Sequence, residues 1–365
     1  MRPPSEGHFV DKFPWRCPQC KGELNPGSDL WSCRSCAAEF RALRGIPDLR
    51  TRDDVYLSNE EDWAFANRLV ADYDRLDFRG LLDRYFDIAS EVSPAGKRRQ
   101  VTHILTAPGR IVHWLDALGP VGGGPLLDLG CGSGSFLSAV GRCVPDVQGV
   151  DVALRWLLVA RKRLDEEGLP HVPLACACAE DLPVADDSIA GVVAGDVIEH
   201  VADQRATLSE VHRALQPGGR VFMASPNRYS LGLEPHVGVW GVGFLPRRWM
   251  RLYVRWINQA DFRAIHTLGF REWRQLLRYS PFMNGRINVP LLPRDDLIHF
   301  GRIKRVCGRL YNASVQTRGG MRFARAFGPL FHVVAEKPKR ADPSSAPRPP
   351  SRAIHRRSTR SAKRA

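Results

Sequence analysis

The chain has 365 residues, enough for one large domain and a small one, and 44% of them are hydrophobic, an ordinary share for a globular protein. The longest nearly apolar stretch, Val237 to Leu245, is too short for a transmembrane span and is broken by glycines. Met1 to Arg16 lacks the apolar core of a secretory signal, so the expected location is the cytoplasm. The formal charge of +14 is uneven: Lys337 to Ala365 carries ten Lys/Arg against one acid, Asp342.

At the N-terminus, Cys17-Pro18-Gln19-Cys20 and Cys33-Arg34-Ser35-Cys36 form two CxxC pairs with twelve residues between them. Two such knuckles can close a tetrahedron of thiolates around zinc. Disulfides are the alternative, and they fit poorly with a chain lacking an export signal. With its flanks, Lys21-Gly22-Glu23-Leu24 and Arg44-Gly45-Ile46-Pro47-Asp48-Leu49-Arg50, the segment resembles the zinc-ribbon module that occurs fused to methyltransferases and as a free activator subunit. Four thiolates leave no open coordination position, so Cys17, Cys20, Cys33 and Cys36 imply a structural zinc. Residues 1–50 are read as this module. Chelation is expected to unfold residues 15–50 while ligand binding by the rest of the chain persists; loss of both would make the ribbon part of the core.

Residues 51–104 are charged with helical periodicity (Trp63, Phe65, Leu69; Leu81, Leu82, Tyr85, Phe86) and are read as a helical connector or lid over an active-site mouth. Ile104 to Leu118 reads as a helix before the Gly122-Gly123-Gly124 break. Strand and helix patterns then alternate: strands 126–129, 146–150, 172–177, 190–195 and 219–225, with helices 134–142, 152–167 and 201–215. That predicts an α/β, Rossmann-like, doubly wound and mostly parallel sheet. The first strand runs into Asp128-Leu129-Gly130-Cys131-Gly132-Ser133-Gly134, where glycine recurs at every second position and a ligand can approach the main chain. Asp151 ends the second strand, placed to bind ribose hydroxyls.

The Asp-Leu-Gly-Cys-Gly-Ser-Gly turn resembles the first motif of class I S-adenosylmethionine (SAM) methyltransferases. Ala179-Glu180-Asp181-Leu182-Pro183, Asp196-Val197-Ile198-Glu199-His200-Val201 and Leu215-Gln216-Pro217-Gly218-Gly219 resemble later motifs in the same order. The resemblance covers about residues 105–337. It implies that Asp128, Gly130, Gly132 and Gly134 hold the methionine part of SAM, and that Asp151 takes the ribose. Ala179 and Glu180 would border the adenine, with Val152 and Leu182 as apolar walls and Asp196 beside the donor. Two departures stand out: Cys178 and Ala190 occupy positions where the family often has acids, and Asp181 could substitute for the first. Asp196, Glu199 and His200, spaced i, i+3, i+4, resemble the segment that supplies a divalent metal site in ubiquinone-type O-methyltransferases, and could share one helical face. The same segment in other methyltransferases caps and packs a helix. Glu199 and His200 are the candidate catalytic residues, with His236 a weaker one.

Between about 228 and 320 an insert carries Trp240, Phe244, Trp249, Tyr253 and Trp256. It is read either as the substrate wall or as a helical hairpin with a small core of its own. Phe270 to Tyr279 reads as a helix, Arg286 to Pro290 as a strand, and Phe331 to Ala335 as the last strand, which the family inserts antiparallel. The tail, residues 338–365, has too few large apolar groups to fold and offers weak contact with nucleic acid or an anionic surface. The expected function is methylation of a small-molecule acceptor, O-directed, of quinone, secondary-metabolite or glycan-lipid type. An rRNA or tRNA methyltransferase and a non-catalytic SAM-binding regulator are the alternatives.

Overall fold

The computed structural model describes residues 15–89, 94–260, 262–292 and 302–339. The basic tail from residue 340 on lies outside them. Two sheets are present. The small one joins β1 (Leu24–Asn25), β2 (Leu30–Cys33), β3 (Glu39–Leu43) and β4 (Ile46–Pro47) in antiparallel succession. Leu24 and Phe40 of this sheet, with Trp15 before it, join the same buried cluster as Leu127 and Ala177 of the main body.

Four helices follow: α1 (Asn59–Tyr73), α2 (Phe78–Ile88), α3 (Pro94–Ile111) and α4 (His113–Leu118). Helix α1 starts where sequence dictates. Ser58 Oγ accepts from the Glu61 amide at 3.3 Å, and the Glu61 carboxylate accepts from the Ser58 amide at 2.8 Å. The apolar residues of α1 and α2, Trp63, Leu69, Leu81, Leu82 and Phe86, are buried in one cluster with Leu157 and Leu158 of the later helix Leu154–Glu166. The helix expected over 104–118 is two helices, divided at Val112.

The main sheet holds β5 (Leu126–Leu129), β6 (Val147–Asp151), β7 (Leu174–Cys176), β8 (Ile189–Gly195), β9 (Leu215–Pro226), β10 (Met283–Asn288) and β11 (Leu330–Glu336). Their order is β10-β11-β9-β8-β5-β6-β7. Strands β7, β6, β5, β8 and β9 are parallel; β11 is antiparallel to both β9 and β10, as expected. Helices α5 (Ser135–Val140), α6 (Leu154–Glu166) and α7 (Gln204–Ala214) connect the parallel strands. Strand β5 is buried along its whole length, which is why it reads as an unbroken apolar run apart from Asp128. The Leu49 amide donates to the Cys176 carbonyl at 2.7 Å, so the chain leaving the small sheet pairs with the β7 edge.

The insert forms α8 (Arg247–Asn258) and α9 (Phe270–Arg278); α10 (Arg302–Ser314) and α11 (Arg318–Phe327) precede β11. Val239, Val242, Met250, Val254, Phe262 and Ile265 make a separate small core. The insert therefore packs a small core around one helix, α8, and not a hairpin, while Leu233 and Leu292 of the same insert line a cavity. Trp249 and Trp256 face solvent and do not line a cavity.

Candidate functional site

The site lies beyond the carboxyl ends of β5, β6 and β8, where strand order reverses and a crevice opens. Gly130 sits at φ 71° and a Cβ there would collide with Val197, so the turn leaving β5 requires glycine. Gly134, also left-handed at φ 73°, meets a second demand: a Cβ would stand 3.1 Å from the Ala160 Cβ, so its absence lets α5 pack against α6. Gly132 has open space beside it, and its amide donates to Asp151 Oδ2 at 2.8 Å. Asp151 Oδ1 accepts from the Ala153 amide, also at 2.8 Å. Each oxygen retains acceptor capacity for a further partner. Burial pushes the Asp151 carboxyl up to about 6, against those two amides, which lower it. Asp128 is buried and its Oδ2 has no hydrogen-bond partner; burial, with Asp151 nearby, drives its carboxyl well above the usual range.

A cavity of about 250 Å³ runs between Gly130, Asp151, Val152 and Ala179. Asp196 and His200 also line it. A further wall is the segment 52–56, within the span expected to form a connector or lid, though this part of it is not helical. A buried ion network fixes this segment. Arg50 binds Asp48 at 2.6 Å, Asp62 at 2.8 Å and the Val152 carbonyl at 3.1 Å. Arg155 binds Asp62 at 2.6 Å and Asp54 at 3.0 Å, and Asp62 also accepts from the Leu154 amide at the start of α6. Nothing in residue spacing links Asp62 to Arg155, which lie 93 positions apart.

Glu180 lines the cavity beside Ala179, while its carboxylate accepts from the Ala202 and Asp203 amides at 2.9 and 3.2 Å, tying two loops together. Other expected residues take different places. Leu182 is fully buried in the core and does not border the cavity. Asp181 is held by Thr51 at 2.6 Å and Arg52 at 2.7 Å, outside the cavity lining, so it does not stand in for the missing acid. Cys178 does line the cavity; Ala190 is buried in β8 away from it.

A second, larger cavity of about 1180 Å³ shares Gly130 and Asp196 with the first. Ile104 and Trp114 from α3 and α4, Asp128 and Ser133 from the glycine turn, Leu233 from the insert and Leu292 beyond β10 line it.

At the boundary of the first cavity, residues 196–200 form a turn, not the first turn of a helix; α7 begins at Gln204, capped by Asp203. Asp196 adopts φ 55° there. Asp196, Glu199 and His200 therefore do not share a helical face. Instead Glu199 and His200 meet His236, brought in by the insert, with their ligand atoms within 4.8 Å of one another. His200 Nε2 lies 3.1 Å from His236 Nε2, and His236 Nε2 lies 4.0 Å from Glu199 Oε1. His236 Nδ1 donates to Glu234 Oε1 at 2.6 Å, which leaves Nε2 of a neutral ring as the free lone pair. Tyr56 Oη is 2.9 Å from His200 Nδ1. Both Glu199 oxygens are buried without a hydrogen-bond partner. Burial, with Asp196 near, drives the Glu199 carboxyl well up, and burial lowers His200 to about 4 with His236 adding to it. Burial thus favours the neutral carboxyl, and ionising it would need a cation or a shared proton close by.

The four N-terminal thiols also converge. Cys17 Sγ lies 3.7 Å from Cys36 Sγ and Cys20 Sγ 3.4 Å from Cys33 Sγ, with all four unlinked and within 4.8 Å of one another. For zinc–sulfur bonds of about 2.3 Å, tetrahedral geometry asks for sulfurs about 3.8 Å apart. The cluster is compatible with a bound metal ion.

A family model described as a methyltransferase domain matches residues 127–223. The ubiquinone biosynthesis O-methyltransferase of Paracidovorax citrulli is 31% identical over 176 residues, 47% of this chain and 69% of that protein. The protein of the same name from Thiobacillus denitrificans is 31% identical over 208 residues, 56% of this chain and 85% of the relative. Among solved structures, phosphoethanolamine N-methyltransferase 2 of Haemonchus contortus in complex with S-adenosyl-L-methionine aligns at 19% identity and a TM-score of 0.43. That alignment covers 63% of this chain and about half, 53%, of the other.

Proposed function

Given that this chain belongs to the class I SAM-dependent methyltransferases, we propose that it methylates a hydroxyl oxygen of a small, partly apolar acceptor. The observation that carries this reading is the Glu199, His200 and His236 group at the edge of the donor cavity. Carbon and amine acceptors bring their own nucleophilic electrons, whereas a hydroxyl needs its proton removed. The two relatives named for ubiquinone O-methylation support oxygen as the acceptor atom.

The donor residues fit SAM. Its sulfonium supplies an electrophilic methyl and a good leaving group. Asp128, buried with an unpartnered oxygen at the glycine turn, suits the methionine ammonium. Asp151 suits the two ribose hydroxyls, since a carboxylate can accept two charge-assisted bonds at once. Val152 and Ala179 would flank the adenine, and residues 52–56 form one wall of the cavity.

The acceptor group fits a divalent cation. Two imidazole nitrogens 3.1 Å apart beside an orphaned carboxylate form an N₂O set. Glu199, His200 and His236 would hold the ion, which would lower the pKa of an acceptor hydroxyl. Glu234 fixes the His236 tautomer and Tyr56 orients the His200 ring. The larger cavity, with Trp114, Ile104 and Leu233 on its walls, would take the acceptor's apolar body. At the N-terminus, the four cysteines would hold a structural zinc.

Incubation with SAM carrying a deuterated methyl and a panel of phenols, catechols and amines, followed by fragmentation mass spectrometry, tests the reading. Label on oxygen supports it. Label only on nitrogen, on carbon or on added RNA overturns it. Glu199→Gln and His236→Asn should each lower kcat by roughly ten- to a hundredfold and leave SAM affinity unchanged.

A further inference from the structure

Helix α8 has two unlike faces. Met250 and Val254 are buried in the small core of the insert. Trp249, Leu252 and Trp256 recur at steps of three and four and so share the opposite face. They are 51, 57 and 79% exposed. Single exposed apolar residues are ordinary, but a stripe with two tryptophans marks a contact surface. Arg248, Arg251 and Arg255 stand on the same exposed side, and the Arg248 guanidinium lies 5.9 Å from the centre of the Trp249 ring.

Further exposed aromatics adjoin α8, whose Tyr253 hydroxyl donates to the Trp240 carbonyl at 3.0 Å. Trp240 and Phe244 have ring centres 6.4 Å apart, and Phe244 and Phe327 6.3 Å apart, which carries the apolar surface across to α11. Leu233, another exposed apolar residue, also lines the larger cavity, so the surface reaches the cavity mouth. Helices α8, α10 and α11 together carry eleven Lys/Arg and no Asp or Glu.

Tryptophan and leucine beside arginine on one helix is the composition of an interfacial anchor, which seats its rings at headgroup depth and its cations on anionic phosphates. No helix among the described residues is long and apolar enough to cross a membrane, so the contact would be with a surface. We propose that the α8 face docks on an anionic lipid bilayer, with the mouth of the larger cavity turned towards the lipid. A second copy of the chain fits this face poorly, because pairing two such faces would bring like charges together. RNA would use the arginines and leave the Trp249, Leu252 and Trp256 stripe in water. The inference requires no particular acceptor and is tested without turnover.

The full chain is sedimented with vesicles of phosphatidylcholine alone and of an equal mixture with phosphatidylglycerol. Binding to the anionic vesicles should be roughly ten- to a hundredfold tighter and should weaken with salt, since each cation near such a surface adds about 1 kcal/mol. The triple variant Trp249→Ser/Leu252→Ser/Trp256→Ser, which retains the basic tail, should lose sedimentation and keep SAM binding and its melting temperature. Arg248→Glu/Arg255→Glu should lose the preference for anionic lipid. Equal binding by wild type and triple variant overturns the proposal, as does failure of the wild type to sediment. So does a dimer in analytical ultracentrifugation that the triple variant abolishes, or RNA binding in the absence of vesicle binding.

Discussion

Asp151 shows how one residue carries both stability and ligand affinity. Its carboxylate already accepts two backbone amides, so ribose hydroxyls would complete its shell without displacing a partner. Asp151→Ala should weaken SAM binding by ten- to a hundredfold, about 1.5–3 kcal/mol of charged hydrogen bonds, as calorimetry would record. Because burial raises this carboxyl to about 6, protonation removes its charge as pH falls through that value. SAM affinity should therefore fall between about pH 7 and 5, and Asp151→Asn should flatten that profile. For folding the sign is opposite. The fold holds this proton more tightly than the unfolded chain, a stabilisation present below about pH 4 and lost as pH rises through about 6. The acid at the tip of the second strand was legible from its spacing to the glycine turn. His236 as the partner of His200 was not, because 36 residues separate them and the chain must fold back to join them.

Among the elements, the strap formed by residues 48–56 links two sites that look separate in sequence. It leaves the small sheet, pairs with the β7 edge through Leu49 and then lines the donor cavity from 52 to 56. The apolar side chains of the small sheet share a core with the main body, and Arg16 donates its amide to the Pro183 carbonyl at 2.8 Å. The N-terminal module is therefore not an appendage whose loss leaves the donor site alone. Chelation, or Cys17→Ser with Cys33→Ser, should raise the Kd for SAM as well as unfold residues 15–50, which calorimetry and hydrogen exchange on the same sample would separate. Asp62 is the keystone of the strap, holding Arg50, Arg155 and the first amide of α6. Asp62→Asn leaves two buried guanidinium groups short of charge and should cost about 3–5 kcal/mol in urea denaturation.

For the whole molecule, helices α1 and α2 cover α6 with Trp63, Leu69, Leu81 and Phe86, all buried. A fragment of residues 105–337, the span that resembles the family, would expose this surface. It should form a loosely packed state, seen as lost hydrogen-exchange protection in α6, while the full chain stays protected. The sequence by itself determined the parallel sheet, the glycine turn and the acid facing it, because these follow from local periodicity and from motifs spaced within one or two elements. The antiparallel last strand came from the family resemblance. The two CxxC knuckles also pointed to the convergence of the four cysteines, whose sulfurs lie within 4.8 Å of one another. Tertiary structure decided the rest. Leu182 went into the core, Glu180 to loop amides, the tryptophans of the insert to the outside, and Tyr56 and His236 to His200. Those outcomes depend on contacts between segments far apart in the chain, whose alignment is set by packing of whole layers and leaves no period in the sequence to read.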